Sequence, residues 1–167
     1  MSTKLWRTLF LTESILYQGD CLEEMNKIAD ESVDLILCDL PYGTTDRKGV
    51  EEKGNNRLLK WDTVIPLDLL WEQYRRVLKP LGTVALTADQ PFTSMLILSN
   101  LDWFKYEWIW KKQKTTGFLL ANYRPMKETE DVVIFSPGGA AAASRNGKNM
   151  TYNPQGLIEK KVKKKNS

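Results

Sequence analysis

Val33-Asp34-Leu35-Ile36-Leu37-Cys38 runs straight into Asp39-Leu40-Pro41-Tyr42-Gly43. The first half is almost wholly apolar and predicts a β-strand. A nearly continuous apolar strand is expected to be buried on both faces, as in a parallel sheet covered by helices. Pro41 cannot donate to a ladder and Gly43 permits a sharp turn, so the strand has to stop at this point.

Reading upstream, Ile15–Tyr17 is a short β-prone run that ends at Gly19-Asp20, and Leu22, Met25 and Ile28 then recur at helical spacing. Reading downstream, Thr44–Lys60 is polar and carries Arg47, Lys48, Lys53, Arg57 and Lys60, a loop long enough to suggest function or disorder. Pro66–Leu78 reads as an amphipathic helix with Leu67, Leu70, Trp71, Tyr74 and Leu78 on one face. Lys79-Pro80-Leu81-Gly82 is expected to stop it. Thr83–Thr87 reads as a strand and Pro91–Ser99 as a short helix with Pro91 in its first turn. Tyr106–Trp110 and Val132–Phe135 read as strands, and Gly138–Lys148 as a Gly/Ala/Ser-rich loop. Helices and strands alternating in this way signal an α/β sheet.

The chain has 167 residues, room for one domain of ordinary size. At 42% hydrophobic and 27% charged it does not resemble a disordered, collagenous or disulfide-scaffold protein. No apolar run approaches the roughly 18 residues of a membrane span, and Met1–Thr12 makes a poor signal peptide, so a cytoplasmic location is expected. Histidine is absent, which excludes a Ser-His-Asp triad, a Cys-His dyad and a His-bearing zinc site from within this chain. Cys21 and Cys38 are too few for a disulfide framework or a four-cysteine metal site. They read as reduced thiols packed as small hydrophobes, and no metal is expected. The net charge is only +3, but five lysines crowd residues 160–165 and more lie in Lys105–Lys114 beside aromatic residues.

In an open α/β sheet, ligands bind at the carboxyl ends of strands. Asp20 and Asp39 each follow an expected strand. Asp39, Pro41 and Tyr42 put an acceptor carboxylate, outward backbone carbonyls and an aromatic ring on one tight turn. Such a group can grip a flat ring that bears an amino group, by stacking on Tyr42 and accepting N–H bonds at Asp39. Asp20 also suits a helix N-cap, with Glu23 completing a capping box, and the two roles are compatible.

Several blocks of the chain, taken in order, carry a resemblance. They are Tyr17-Gln18-Gly19-Asp20-Cys21-Leu22, Ser32–Ile36, Asp39–Gly43, Lys60-Trp61-Asp62, Trp71–Lys79, Gln90-Pro91-Phe92, Ser99-Asn100, Trp108–Lys112, Thr116-Gly117-Phe118, Glu130–Phe135 and Thr151–Gln155. Together they resemble the permuted, phage-type β-class of amino-group DNA methyltransferases, over roughly residues 13–157. Agreement of many blocks in order is far more specific than any one of them. The resemblance implies a Rossmann-like fold dependent on S-adenosylmethionine, in which the catalytic half precedes the main cofactor-binding half. Asp39, Leu40, Pro41 and Tyr42 match the catalytic tetrapeptide, usually D-P-P-Y, with Leu40 in place of the first proline. Asp20 matches the acidic residue that approaches the cofactor adenine, and Asp39 also borders the cofactor. The implied reaction is direct methyl transfer to the exocyclic amine of a base flipped out of double-stranded DNA. No covalent cysteine is needed, so Cys38 is not a nucleophile. Asp at the first position resembles adenine-N6 enzymes, whereas cytosine-N4 relatives more often carry serine.

Arg47, Lys48, Arg57 and Lys60 are then expected phosphate contacts, with Lys111 and Lys112 on a strand facing DNA. Strand alternation places Trp108 and Trp110 on one face, where core packing is the ordinary role. Residues 1–157 are expected to form the catalytic part of the domain and residues 158–167 a basic, disordered tail. The F-x-G-x-G turn of the family's cofactor-binding half has no counterpart here. The expected fold is therefore a partial one, truncated after the catalytic half, that binds the cofactor poorly by itself. The competing expectation is a non-catalytic remnant, or a half-enzyme that binds DNA or a second, complementing chain. A phage or prophage gene in a bacterial host, and a place in restriction-modification, go with the same resemblance.

Overall fold

The computed structural model describes residues 13–43, 62–141 and 148–156. A short helix, α1 (Cys21–Glu24), runs on into a 3₁₀ turn at Met25–Lys27. Strand β1 (Val33–Asp39), helix α2 (Leu67–Val77), strand β2 (Leu78–Ala88), helix α3 (Phe92–Ser99), and strands β3 (Phe104–Thr116) and β4 (Lys127–Phe135) follow. The strands form one sheet of order β1-β2-β4-β3. Only β1 and β2 are parallel, and β4 runs antiparallel to both of its neighbours.

The apolar stripe of α2 explains its position. Leu70, Trp71 and Tyr74 are buried, and with Phe92 and Leu96 of α3 they cover Val84, Leu86, Ala88, Val133 and Phe135 on one face of the sheet. Trp71 Nε1 donates to Ser99 Oγ at 2.7 Å, which ties the two helices together. Arg76 fastens the α1 segment to α2. Its guanidinium donates to the carbonyls of Met25 and Ile28 at 2.7 and 2.8 Å and pairs with Asp30 at 2.7 Å.

The opposite face of the sheet carries a smaller cluster of Ala85, Ile134 and Met150, flanked by Tyr106 and Val132. Met150 reaches it because the chain passes close by at Gly138, where any Cβ would lie 2.6 Å from the Met150 nitrogen.

Several sequence expectations are corrected here. Ile15–Tyr17 is not a strand, and Leu16 is 94% exposed. A strand exists only through its ladder, and among the described residues this run has no partner. Lys79–Gly82 does not end α2. The chain turns directly from Val77 into β2, because Leu78 pairs with Val33 and an irregularity before the next pair, Leu35 with Thr83, absorbs the intervening residues. Pro80 is tolerated in that irregular stretch, as proline is at bulges. The sheet is mixed rather than parallel, and among the described residues β1 is covered on one face only. Ile36 and Cys38 pack towards the helices, while Leu35 and Leu37 are 57% and 71% exposed. Trp108 and Trp110 share a face as expected but are more than half exposed rather than core. Both β3 and β4 outrun their apolar centres. They pair as far as Lys111 opposite Thr129 and again at Thr116 opposite Lys127, and cross-strand contacts such as the Lys112–Glu130 ion pair support the outer part of the ribbon. The expected boundary between residues 157 and 158 lies outside the described residues.

Candidate active site at the carboxyl end of β1

Asp39 is the last residue of β1, and its register partner in β2 is Thr87. Two parallel strands therefore end side by side, each with an oxygen-bearing side chain. Leu40 turns inward and is buried in the main core, which fixes the start of the turn. Gly43 adopts φ 66°, a left-handed conformation, and a Cβ there would meet Val64 Cγ2 at 2.7 Å. Its N–H donates to Oδ1 of buried Asp62 at 3.0 Å. The tetrapeptide is thus held at both ends.

Tyr42 folds back over β1. Its hydroxyl lies 3.0 Å from Asp39 Oδ1 and 2.8 Å from Thr87 Oγ1, and Thr87 Oγ1 in turn donates to Asp39 Oδ1. Thr87 donates to the carboxylate, and the single Tyr42 proton can go to Oδ1 directly or to Thr87. These bonds converge on Oδ1 and orient the carboxylate as an acceptor. The Tyr42 ring stacks on Phe92, with centroids 5.5 Å apart and planes 24° apart. Phe92 is itself buried at the start of α3, so the tyrosine ring is backed by the core.

Burial pushes the Tyr42 phenol well above its ordinary range. The hydrogen bond with Thr87 works against that rise, and the Asp39 carboxylate adds to it. Buried Tyr74 is shifted in the same direction, again chiefly by burial. A phenol whose proton is held more tightly in the folded than in the unfolded chain contributes stability below the unfolded value, 10.0, and loses it as pH rises further. Urea midpoints should therefore be insensitive to these groups up to about pH 10 and fall above it, and Tyr42→Phe should make that alkaline fall shallower. A fall unaffected by the substitution would mean that Tyr42 is not held as described.

Cys38 points to the helix side of the strand, where its thiol bonds to Tyr74 and burial raises its pKa. The Cys21 thiol raises it further. Asp20 is the N-cap of α1, accepting from the Leu22 N–H at 2.8 Å.

Lys112 is half-buried in an ion pair with Glu130, and Lys111 is exposed, 3.8 Å from Glu128. Arg47, Lys48, Arg57 and Lys60 lie outside the described residues. Sequence reasoning missed Thr87 and the structural part of Phe92. The available signal for Thr87 was that β2, like β1, ends its apolar run on a polar residue, and parallel neighbours bring such ends together. Among the described residues no group of three or more His, Cys, Asp or Glu side chains could hold a metal ion. Among them, too, no helix is long and apolar enough to cross a membrane.

An aspartate, a proline and a core-backed tyrosine at the end of a parallel strand define a class of α/β domain suited to a flat ligand bearing an amine. Known proteins narrow that class. A family model for N6/N4 methyltransferases, described as DNA methylase, matches residues 33–167, and the chain belongs to that family. It is 27% identical over 113 residues to the type II methyltransferase M.HinfI of Haemophilus influenzae, covering 58% of this chain and 31% of that protein. It is 38% identical over 73 residues to the type II methyltransferase M.BglII of Bacillus subtilis, covering 41% of this chain and 18% of that protein. The chain thus spans less than a third of these curated relatives. Among solved structures, the cytosine-N4-specific PvuII DNA methyltransferase superposes with a TM-score of 0.52 at 19% identity, over 72% of this chain and 48% of that one. The fold is accordingly a partial form of the methyltransferase α/β fold.

Proposed function

We propose that this chain carries the amine-binding end of an S-adenosylmethionine-dependent DNA methyltransferase, acting on the N6 amine of a flipped adenine. The observation that supports it most directly is the Asp39 carboxylate, oriented through Oδ1 by Thr87 and Tyr42 at the end of β1. The aspartate itself favours adenine over cytosine-N4 as the target.

The donor set fits the cofactor's chemistry. Exposed Asp39 complements a cationic sulfonium, and the carboxylate of Asp20 can accept from an adenine amine. When bound, the cofactor supplies an electrophilic methyl group. Asp39 accepts a hydrogen bond from the target amine and aims its lone pair at that methyl. Asp39 would also stand ready to take up the proton that the amine gives up on methylation, the cofactor's sulfur retaining the electrons of its bond to the methyl group. Tyr42 offers its core-backed ring to the base, at a flipping cost of a few kcal/mol. Most of the acceleration comes from this positioning. Exposed Lys111 serves as a phosphate contact, as do the basic residues Arg47, Lys48, Arg57 and Lys60, whereas Lys112 is taken up by its ion pair with Glu130.

The test is a single-turnover reaction at methyl-labelled S-adenosylmethionine concentrations high enough to offset the weak binding expected of a partial fold, with the full chain in excess over duplex DNA and digestion to nucleosides. Label in N6-methyladenine is expected. Label in N4-methylcytosine would keep the reaction and overturn the choice of base. Label in neither would overturn the proposal.

A further inference from the structure

The geometry points to the connection between β3 and β4 as a duplex-gripping element beside the active site, with Lys114 and Arg124 on phosphates and Phe118 and Tyr123 against bases. The inference rests on the DNA reading above and assigns it to residues that reading does not use.

Residues 108–127 contain Lys111, Lys112, Lys114, Arg124 and Lys127 and not one Asp or Glu. Two of these cations are neutralised from outside the segment, Lys112 by Glu130 and Lys127 by Asp89, and exposed Lys111 lies 3.8 Å from Glu128. Among the described residues Lys114 and Arg124 have no ion-pair partner. The same stretch presents large apolar surface. Phe118 is 79% exposed and Tyr123 85% exposed. These side chains are outward although the connection itself has regular structure. Gly117 at φ 86° starts a 3₁₀ turn over Phe118–Leu120, and the N–H groups of Tyr123 and Arg124 donate to the Leu120 carbonyl at 2.9 and 3.0 Å.

Position ties this element to the chemistry. A groove of about 650 Å³ lies between the connection, at Thr116, Gly117 and Arg124, and Asp89-Gln90 at the end of β2. Asp89 is two residues beyond Thr87, which bonds to Asp39. The Lys127–Asp89 ion pair fastens the ribbon to that strand end. Unpaired cations interleaved with exposed aromatic rings match the needs of a nucleic acid, phosphates for the former and base faces for the latter. An apolar protein surface would leave the two cations without partners.

The experiment measures duplex-DNA affinity of the full chain as a function of salt, with circular dichroism confirming each variant's fold. Lys114→Ala and Arg124→Ala should each reduce the slope of log K against log salt by about 1, and Arg124→Lys should retain it. Phe118→Ala and Tyr123→Ala should leave the slope unchanged and weaken binding by about 5- to 150-fold. Folded variants that all bind as the wild type does would overturn the inference while leaving the DNA reading intact. A wild-type chain that binds no DNA would overturn both.

Discussion

Asp39→Ala should lower single-turnover methyl transfer by about 10²–10³-fold and leave the fold intact. The size of the effect follows from what the carboxylate does. It is the acceptor on which the hydroxyls of Thr87 and Tyr42 converge, and it stands where a base amine has to be aimed. Without it the base loses its orientation and the departing proton loses its nearest acceptor. The fold should survive because Asp39 is exposed at the end of a strand, and the two hydroxyls it leaves behind already lie 2.8 Å apart and can bond to each other. Exposed substitutions of this kind usually shift stability by about 0.5 kcal/mol or less. Asp39→Asn keeps an acceptor carbonyl without the charge, so its rate should fall between the two. An Asp39→Ala chain that transfers methyl at the wild-type rate would remove the residue from the chemistry.

Phe135→Ala should cost about 3–5 kcal/mol, a large part of the stability of a domain this size. Phe135 is fully buried on β4, between Val84 of β2 and Phe104 of β3 in register. Its ring lies 4.8 Å from that of Trp71 and 6.1 Å from that of Phe104, so it joins the sheet to α2. Alanine would open a cavity under the helix layer that no exposed side chain can refill. Leu37→Ala is the control. Leu37 is as apolar but points away from the helices, and its loss should change stability by only about 0.5 kcal/mol. Urea melts of both variants check the comparison, and equal losses would contradict a β1 whose Leu37 side lies open.

The alternating helices and strands, the amphipathic face of α2 and the turn at Asp39–Gly43 were legible because each depends on local spacing or on the conformational limits of proline and glycine. The apolar run of β1 was legible as a strand, but its environment was not. Whether Leu35 and Leu37 are covered depends on which face the helices occupy, and a run of apolar residues carries no information about that. Trp108 and Trp110 failed for the same reason. Alternation gave their shared face correctly, and only the sheet's layering shows that this face is open.

The candidate site divides in the same way. Asp39, Leu40, Pro41 and Tyr42 are contiguous, so the sequence by itself determined that an acid, a turn and an aromatic ring stand together. Thr87 is 48 residues from Asp39, and only the parallel pairing of β1 with β2 decided that its hydroxyl would orient the carboxylate. Phe92 came to back the Tyr42 ring because α3 starts just beyond the end of β2. The pairing of Lys112 with Glu130 was likewise set by the β3–β4 register. Spacing along the chain fixes what neighbours in sequence can do. Strand order and register fix which distant groups meet, because those depend on the summed burial of the whole sheet rather than on any one segment.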